Sequence, residues 1–152
     1  MSGHNPRKVV LLAEDDEDHF LLAKDAFAEA RAGVDLRWVR DGEELMDYLL
    51  RRGAYAADIS VPRPHLILLD LNMPKKDGRE ALQEIKSNPG LRMIPVVVLT
   101  TSRNDEDILY TYSLGGSFIR KPVRFEQIVE VLRNLSRYWL ETVEHPSRPE
   151  SS

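Results

Sequence analysis

The 152-residue sequence contains no cysteine. Disulfides, thiolate zinc sites and thiol catalysis are therefore excluded, and the composition suits a reducing compartment. No apolar run approaches the ~20 residues a membrane-spanning helix needs. The opening, MSGHNPRKVVLLAEDD, turns acidic too soon for a secretory signal, so a cytoplasmic protein is expected. A basic surface is missing as well: 21 Lys and Arg stand against 25 Asp and Glu, a formal net charge of −4. Non-specific nucleic-acid binding draws on cationic surface that displaces counterions. The expected partners are proteins or small molecules, not nucleic acid and not membrane.

What is present is ordinary for one globular domain, with 42% hydrophobic and 30% charged residues. Short aliphatic runs alternate with segments of helical period. Val9 to Ala13 reads as a first strand, followed by a helix carrying Phe20, Ala23, Phe27 and Ala30. Val34 to Val39 reads as a second strand; Leu45, Tyr48 and Leu49 mark a helix reaching about Arg52. The stretch Gly53 to His65 exceeds the usual ~2–6 residue connection, which makes it an insertion or a functional loop. Leu66 to Leu69 and Val96 to Leu99 read as strands three and four, with a helix through Ala81, Leu82 and Ile85 stopping near Asn88-Pro89. Ser102 with Asp105 resembles a capping box that opens a fourth helix. Phe118 to Arg120 is the fifth strand, and Ile128, Val131, Leu132, Leu135 and Trp139 share one side of a last helix. Five such units imply a doubly wound α/β fold, a (βα)5 parallel sheet covered on both faces. Ligands then bind at the carboxyl ends of the strands.

The residues at those ends carry chemistry. Strand one runs into Glu14-Asp15-Asp16-Glu17-Asp18, strand three into Asp70, strand four into Thr100-Thr101-Ser102 and strand five into Lys121. Asp16, Glu17 and Asp18 equally suit a helix's first turn, where carboxylates cap orphan amides and complement the dipole. Glu14, Asp15 and Asp70 crowded at one rim would repel one another. A divalent cation resolves that repulsion, and oxygen ligands favour Mg²⁺ or Mn²⁺. Taken singly, Thr100 reads as a β-branched strand residue and Lys121 as a solvated lysine. Taken together, a carboxylate nucleophile, a cation, an ammonium and a hydroxyl suit binding and transfer of a phosphoryl group.

Over roughly residues 7 to 140 the sequence resembles a response-regulator receiver domain. The resemblance rests on Glu14-Asp15, on Asp70 followed by Asn72-Met73-Pro74 and Gly78, on Thr100, and on Lys121-Pro122. It implies a flavodoxin-like sheet in the order 2-1-3-4-5, with residues 1–6 a flexible N-terminus, 7–141 the receiver and 142–152 a tail. It also implies that Asp70 accepts a phosphoryl group from a histidine kinase. Mg²⁺ would be held by Asp15, Asp70 and the Asn72 backbone carbonyl, and by Glu14 through water. Lys121 would pair with the phosphoryl group, with its bond to Pro122 cis. Thr100 and Phe118 would form the switch, the aromatic turning inward as the hydroxyl moves to the phosphoryl oxygen.

The stretches LLDLNMPKKDGREALQEIK, IPVVVLTTS and RYWLETVEHPS, with the long loop before strand three, are similar to phytochrome-associated single-domain receivers. That likeness implies a phytochrome-type sensor kinase as partner, no DNA-binding output domain, and a homodimer through the fourth and fifth helix-strand face. Tyr110, Tyr112, Tyr138 and Trp139 are its candidate contacts, although Trp139 equally suits packing of the last helix. Gly115-Gly116-Ser117 is one residue shorter than the family's turn. The tail TVEHPSRPESS is expected to be disordered, and His4, His19, His65 and His145 are read as surface residues. An aspartate-nucleophile phosphatase would need a second carboxylate two residues after Asp70, where Asn72 stands. The protein is accordingly expected to be a signalling domain, not an enzyme. A receiver-like docking scaffold that is never phosphorylated is the rival, and a relay to a further histidine is a third reading.

Overall fold

The computed structural model describes residues 7–29, 33–58 and 60–145. Its strands are β1 (Lys8–Ala13), β2 (Val34–Val39), β3 (Leu66–Leu69), β4 (Val96–Thr100) and β5 (Ser117–Arg120). All pair in parallel, in the order β2-β1-β3-β4-β5. The helices are α1 (Glu17–Phe27), α2 (Gly42–Leu50), α3 (Gly78–Ser87), α4 (Asp105–Ser113) and α5 (Phe125–Ser136).

The aliphatic runs go to the middle of the sheet. Every residue of β3 and β4 is buried, as is Val9 to Ala13 of β1, while β5 at the edge is only partly covered. Because side chains alternate across a strand, one run supplies two cores. Leu11, Ala13, Ile67, Leu69, Val96 and Val98 meet α2 and α3 on one face. Val10, Leu12, Leu66, Leu68, Val97 and Leu99 meet Ala23, Ala26 and Phe27 of α1 and Ile128, Leu132 and Leu135 of α5 on the other. Each fully buried Leu or Ile contributes about 1.5–3 kcal/mol. Those central strands therefore fix where their carboxyl ends emerge.

Helix starts follow local chemistry. Asp16 caps α1 by accepting from the Asp18 and His19 amides, so the reading of this acidic run as a helix cap holds. Asp41 caps α2 and Asp77 caps α3. The capping box at Ser102 does not form: Asn104 caps α4, and the Ser102 hydroxyl instead donates to Asp107 at 2.5 Å. The shortened turn closes α4 with Gly115 at φ +85°, a conformation glycine adopts without penalty.

The long connection after α2 holds a 3₁₀ turn, Gly53–Tyr55, and buries Val61; the Tyr48 hydroxyl donates to the Pro62 carbonyl at 2.8 Å. The last helix continues past Ser136 as a π-helical turn, Arg137–Thr142, which buries Leu140 and packs Trp139 on the α1/α5 core. The tail does not begin as a free segment at Thr142, because the His145 ring lies edge-on to His65, their centroids 5.7 Å apart. Residues 1–6, Ala30 and residues 146–152, including His4, lie outside the described residues. Among the described residues no helix is long and apolar enough to cross a membrane.

Candidate functional site

The sheet ladder delivers the polar residues to one rim. The Glu14 amide donates to the Val39 carbonyl at 3.0 Å, Asp70 to the Ala13 carbonyl at 3.0 Å, and Lys121 to the Thr100 carbonyl at 2.7 Å. Each residue continues its strand by one step, so side chains distant in sequence converge. Glu14, Asp70, Thr100 and Lys121 are all buried, whereas Asp15 and Asn72 are exposed.

Around Asp70, the Thr100 hydroxyl donates to Oδ1 at 2.9 Å and the Asn72 amide donates to the same oxygen at 3.0 Å. The Asn72 side chain reaches Thr100 Oγ1 at 3.4 Å. Lys121 Nζ lies 3.5 Å from Asp70 Oδ2 and is hydrogen-bonded to Glu14 Oε1. Burial pushes the Glu14 carboxyl up to about 7; Lys121 opposes that rise, and Asp70 reinforces it. Desolvation is the largest effect, because the Glu14 carboxyl is almost wholly out of water. Glu14, Asp15 and Asp70 each present an oxygen within 4.8 Å of the others. This anionic, all-oxygen set fits a hard divalent cation.

The loop after β3 is shaped by close approaches. Lys75 sits at φ +63°, and the Gly78 amide donates to the Leu71 carbonyl at 3.1 Å. A Cβ on Gly78 would stand 2.7 Å from Leu71 Cα and closer still to the Asp70 carbonyl. Glycine here brings α3 against the strand end that bears Asp70. On the far side of Thr100, the Ser102 hydroxyl meets Asp107, which is buried and held bidentate by Arg79 at 2.7 and 2.6 Å.

Some expectations need correction. The Lys121–Pro122 peptide is trans, and Lys121 is aimed inward by the β4–β5 ladder and by its ion pairs instead. His19 is not a surface residue: its Nδ1 is 2.8 Å from Lys121 Nζ, and burial and the lysine hold its pKa below the ordinary value. A neutral His19 accepts this bond, which places its ring proton on Nε2. No metal-ligand or catalytic spacing marked it; the packing of α1 beside α5, with the His19 ring edge-on to Phe125, brings it there. His65 is half-buried, its Nδ1 accepting from the Val9 amide at 3.0 Å. Of the four candidate interface aromatics, Tyr112 and Tyr138 are exposed, whereas Tyr110 bonds the Arg79 carbonyl and Trp139 packs inward. Phe118 is half-buried and packs against the α2/α3 core.

A five-stranded parallel sheet with an acidic cluster, a hydroxyl and a lysine at its rim defines a class, and the chain belongs to the response regulator receiver domain family, which it matches over residues 10–133. It is 42% identical to the response regulator Rcp1 of Synechocystis sp. over 144 residues, 94% of this chain and 96% of that one. Among solved structures it is similar to the phosphorylated cyanobacterial phytochrome response regulator RcpA, with 43% identity and a TM-score of 0.88 over 93% of this chain and all of that one. The Mn²⁺-bound form of Rcp1 is 42% identical with a TM-score of 0.87, covering 92% of this chain and 99% of that one.

Proposed function

We propose that this cytoplasmic receiver, spanning residues 7–141, accepts a phosphoryl group on Asp70 from a sensor histidine kinase of the phytochrome type. The observation that carries the reading is the placement of Asp70: buried, hydrogen-bonded by Thr100, 3.5 Å from Lys121, and within reach of Glu14 and Asp15. The similarity to a phytochrome response regulator supports the choice of kinase.

Asp15 and Asp70, the Asn72 backbone carbonyl, and Glu14 through water are the groups that would hold Mg²⁺ or Mn²⁺. The bound cation supplies charge neutralisation for the transferring phosphoryl oxygens. A carboxylate oxygen of Asp70 bonds to phosphorus as the bond to the kinase's histidine nitrogen breaks, and the electron pair leaves with that imidazole. Lys121, drawn from Glu14 and Asp70, neutralises a phosphoryl oxygen. The Thr100 hydroxyl exchanges Asp70 Oδ1 for another phosphoryl oxygen, and Phe118 follows into the space it leaves. The chain assists transfer to and hydrolysis from its own side chain and is not a turnover enzyme.

The output is docking, with homodimerisation through α4, β5 and α5. Leu109, Tyr112 and Tyr138 are large apolar side chains exposed on those elements and on the turn after α5. The docking-scaffold reading is not favoured, because every member of the site is present. Labelled phosphate supplied through a phytochrome-type kinase should move onto the chain, and phosphorylation should raise its sedimentation coefficient to that of a dimer. Labelling by acetyl phosphate but by no such kinase would remove the kinase assignment; labelling with unchanged sedimentation would remove the dimer.

A further inference from the structure

The carbonyl of Glu14 stands where the β1–β2 ladder ends. The last paired residues are Ala13 and Val39, and the Glu14 amide still reaches the Val39 carbonyl. In a regular parallel ladder the next rung would bring a β2 amide to the Glu14 carbonyl, at about Asp41. There the chain turns away, because Asp41 caps α2. The Trp38 indole fills the missing rung, its Nε1–H donating to the Glu14 carbonyl at 2.7 Å.

Two further groups pack against that indole. Phe20 of α1 stacks on it with centroids 4.0 Å apart and planes 5° from parallel. The Arg40 guanidinium lies 4.1 Å from the ring centroid, and Arg40 also approaches the Glu17 carboxylate at 4.0 Å. A flat donor packed by an aromatic ring and a guanidinium has little freedom to swing, so the peptide plane between Glu14 and Asp15 is fixed by a side chain. Asp15 is the exposed member of the acidic trio. It lacks the surrounding core that orients Glu14 and Asp70, so the backbone plane is what aims its carboxylate.

We infer that Trp38 is a positioning residue for the cation site: the indole N–H clamps the Glu14–Asp15 peptide so that the Asp15 carboxylate faces Glu14 and Asp70. The inference rests on the divalent-cation reading of that trio. Its signature is a loss of cation affinity at nearly unchanged rate once the cation saturates, since the clamp aims a ligand and touches no reacting atom. A tryptophan with only a packing role would instead lower stability and leave affinity alone.

The test is Mn²⁺ binding to the full chain by paramagnetic resonance, comparing wild type, Trp38→Phe, and a chain with 3-benzothienylalanine at position 38, which keeps the shape of the indole and lacks its N–H. Urea unfolding in EDTA and the Mg²⁺ dependence of acetyl phosphate labelling accompany it. Supporting contacts of this kind are worth about 10-fold or more in metal affinity. Both replacements should weaken Mn²⁺ binding about 10-fold, raise the Mg²⁺ concentration for half-maximal labelling in step, and leave the saturated labelling rate within about twofold. The benzothienyl chain should unfold in EDTA at nearly the wild-type urea concentration. Wild-type affinity in the benzothienyl chain overturns the clamp while leaving the cation reading in place. No Mn²⁺ binding by wild type itself overturns the cation reading, and the clamp with it.

Discussion

Lys121→Met destabilises the protein in EDTA by about 3 kcal/mol at pH 8, and saturating Mg²⁺ recovers much of that loss. The ammonium is ion-paired with Glu14 and lies 3.5 Å from Asp70, and all three residues are buried. Breaking a buried pair by removing one partner costs about 3–5 kcal/mol, because the remaining charge has neither water nor a counter-ion. Glu14 partly escapes that cost by taking a proton, since burial already pushes its pKa from 4.5 up to about 7. A carboxyl whose folded pKa is raised binds more protons folded than unfolded. Its stabilising contribution is complete below about 4.5 and lost as pH rises through the folded value. Without Lys121 the folded pKa moves higher still, so the penalty shrinks at pH 5.5 and is largest at pH 8. Unfolding by urea at the two pH values, with and without Mg²⁺, checks this. A loss independent of both pH and Mg²⁺ contradicts it.

Gly78→Ala is the second large effect, and it reaches Asp70 through the backbone. The glycine has no unusual φ; its need is space, because an added Cβ meets the backbone of Asp70 and Leu71. Neither can yield as a flexible side chain would, so the end of β3 must shift. Alanine's better helix propensity returns about 1 kcal/mol, while overpacking costs about 1–3 kcal/mol or more. The larger consequence is functional. A displacement near 1 Å at a reacting group can cost about 100-fold in rate, and Asp70 would leave its hydrogen bonds to Thr100 and the Ala13 carbonyl. Acetyl phosphate labelling should fall at least about 10-fold. Gly90→Ala, where the nearest neighbour is the Asn88 side chain at 3.3 Å, should label as wild type does. Wild-type labelling of Gly78→Ala would contradict the close-approach account.

The sheet was legible because its central strands are short continuous aliphatic runs, as strands buried on both faces of a parallel sheet are, and helical periods alternate with them. Leu66 to Leu69 is read from the sequence with the bounds it has in the structure, and the runs that end in Glu14, Asp70, Thr100 and Lys121 are the ones that meet at the rim. What stayed hidden depends on angles between elements and carries no period. His19 follows the acidic run and looks solvated, yet the packing of α1 beside α5 turns it onto Lys121. Ser102 has the spacing of a cap, but the Arg79–Asp107 pair captures its hydroxyl. Trp139, by contrast, packs on the α1/α5 core as its helical spacing allowed, and only the π-helical form of Arg137–Thr142 went unread. Trp38 looked like one more strand residue, and its hydrogen bond to Glu14 appears only where a ladder runs out.

The central claim is that Asp70 is the phosphoryl acceptor. Mass measurement after incubation with Mg²⁺ and acetyl phosphate tests it most directly. The wild-type chain should gain one phosphoryl group, stable to acid and lost in base, and Asp70→Asn should gain none. No gain by the wild-type chain, or an equal gain by Asp70→Asn, would contradict it.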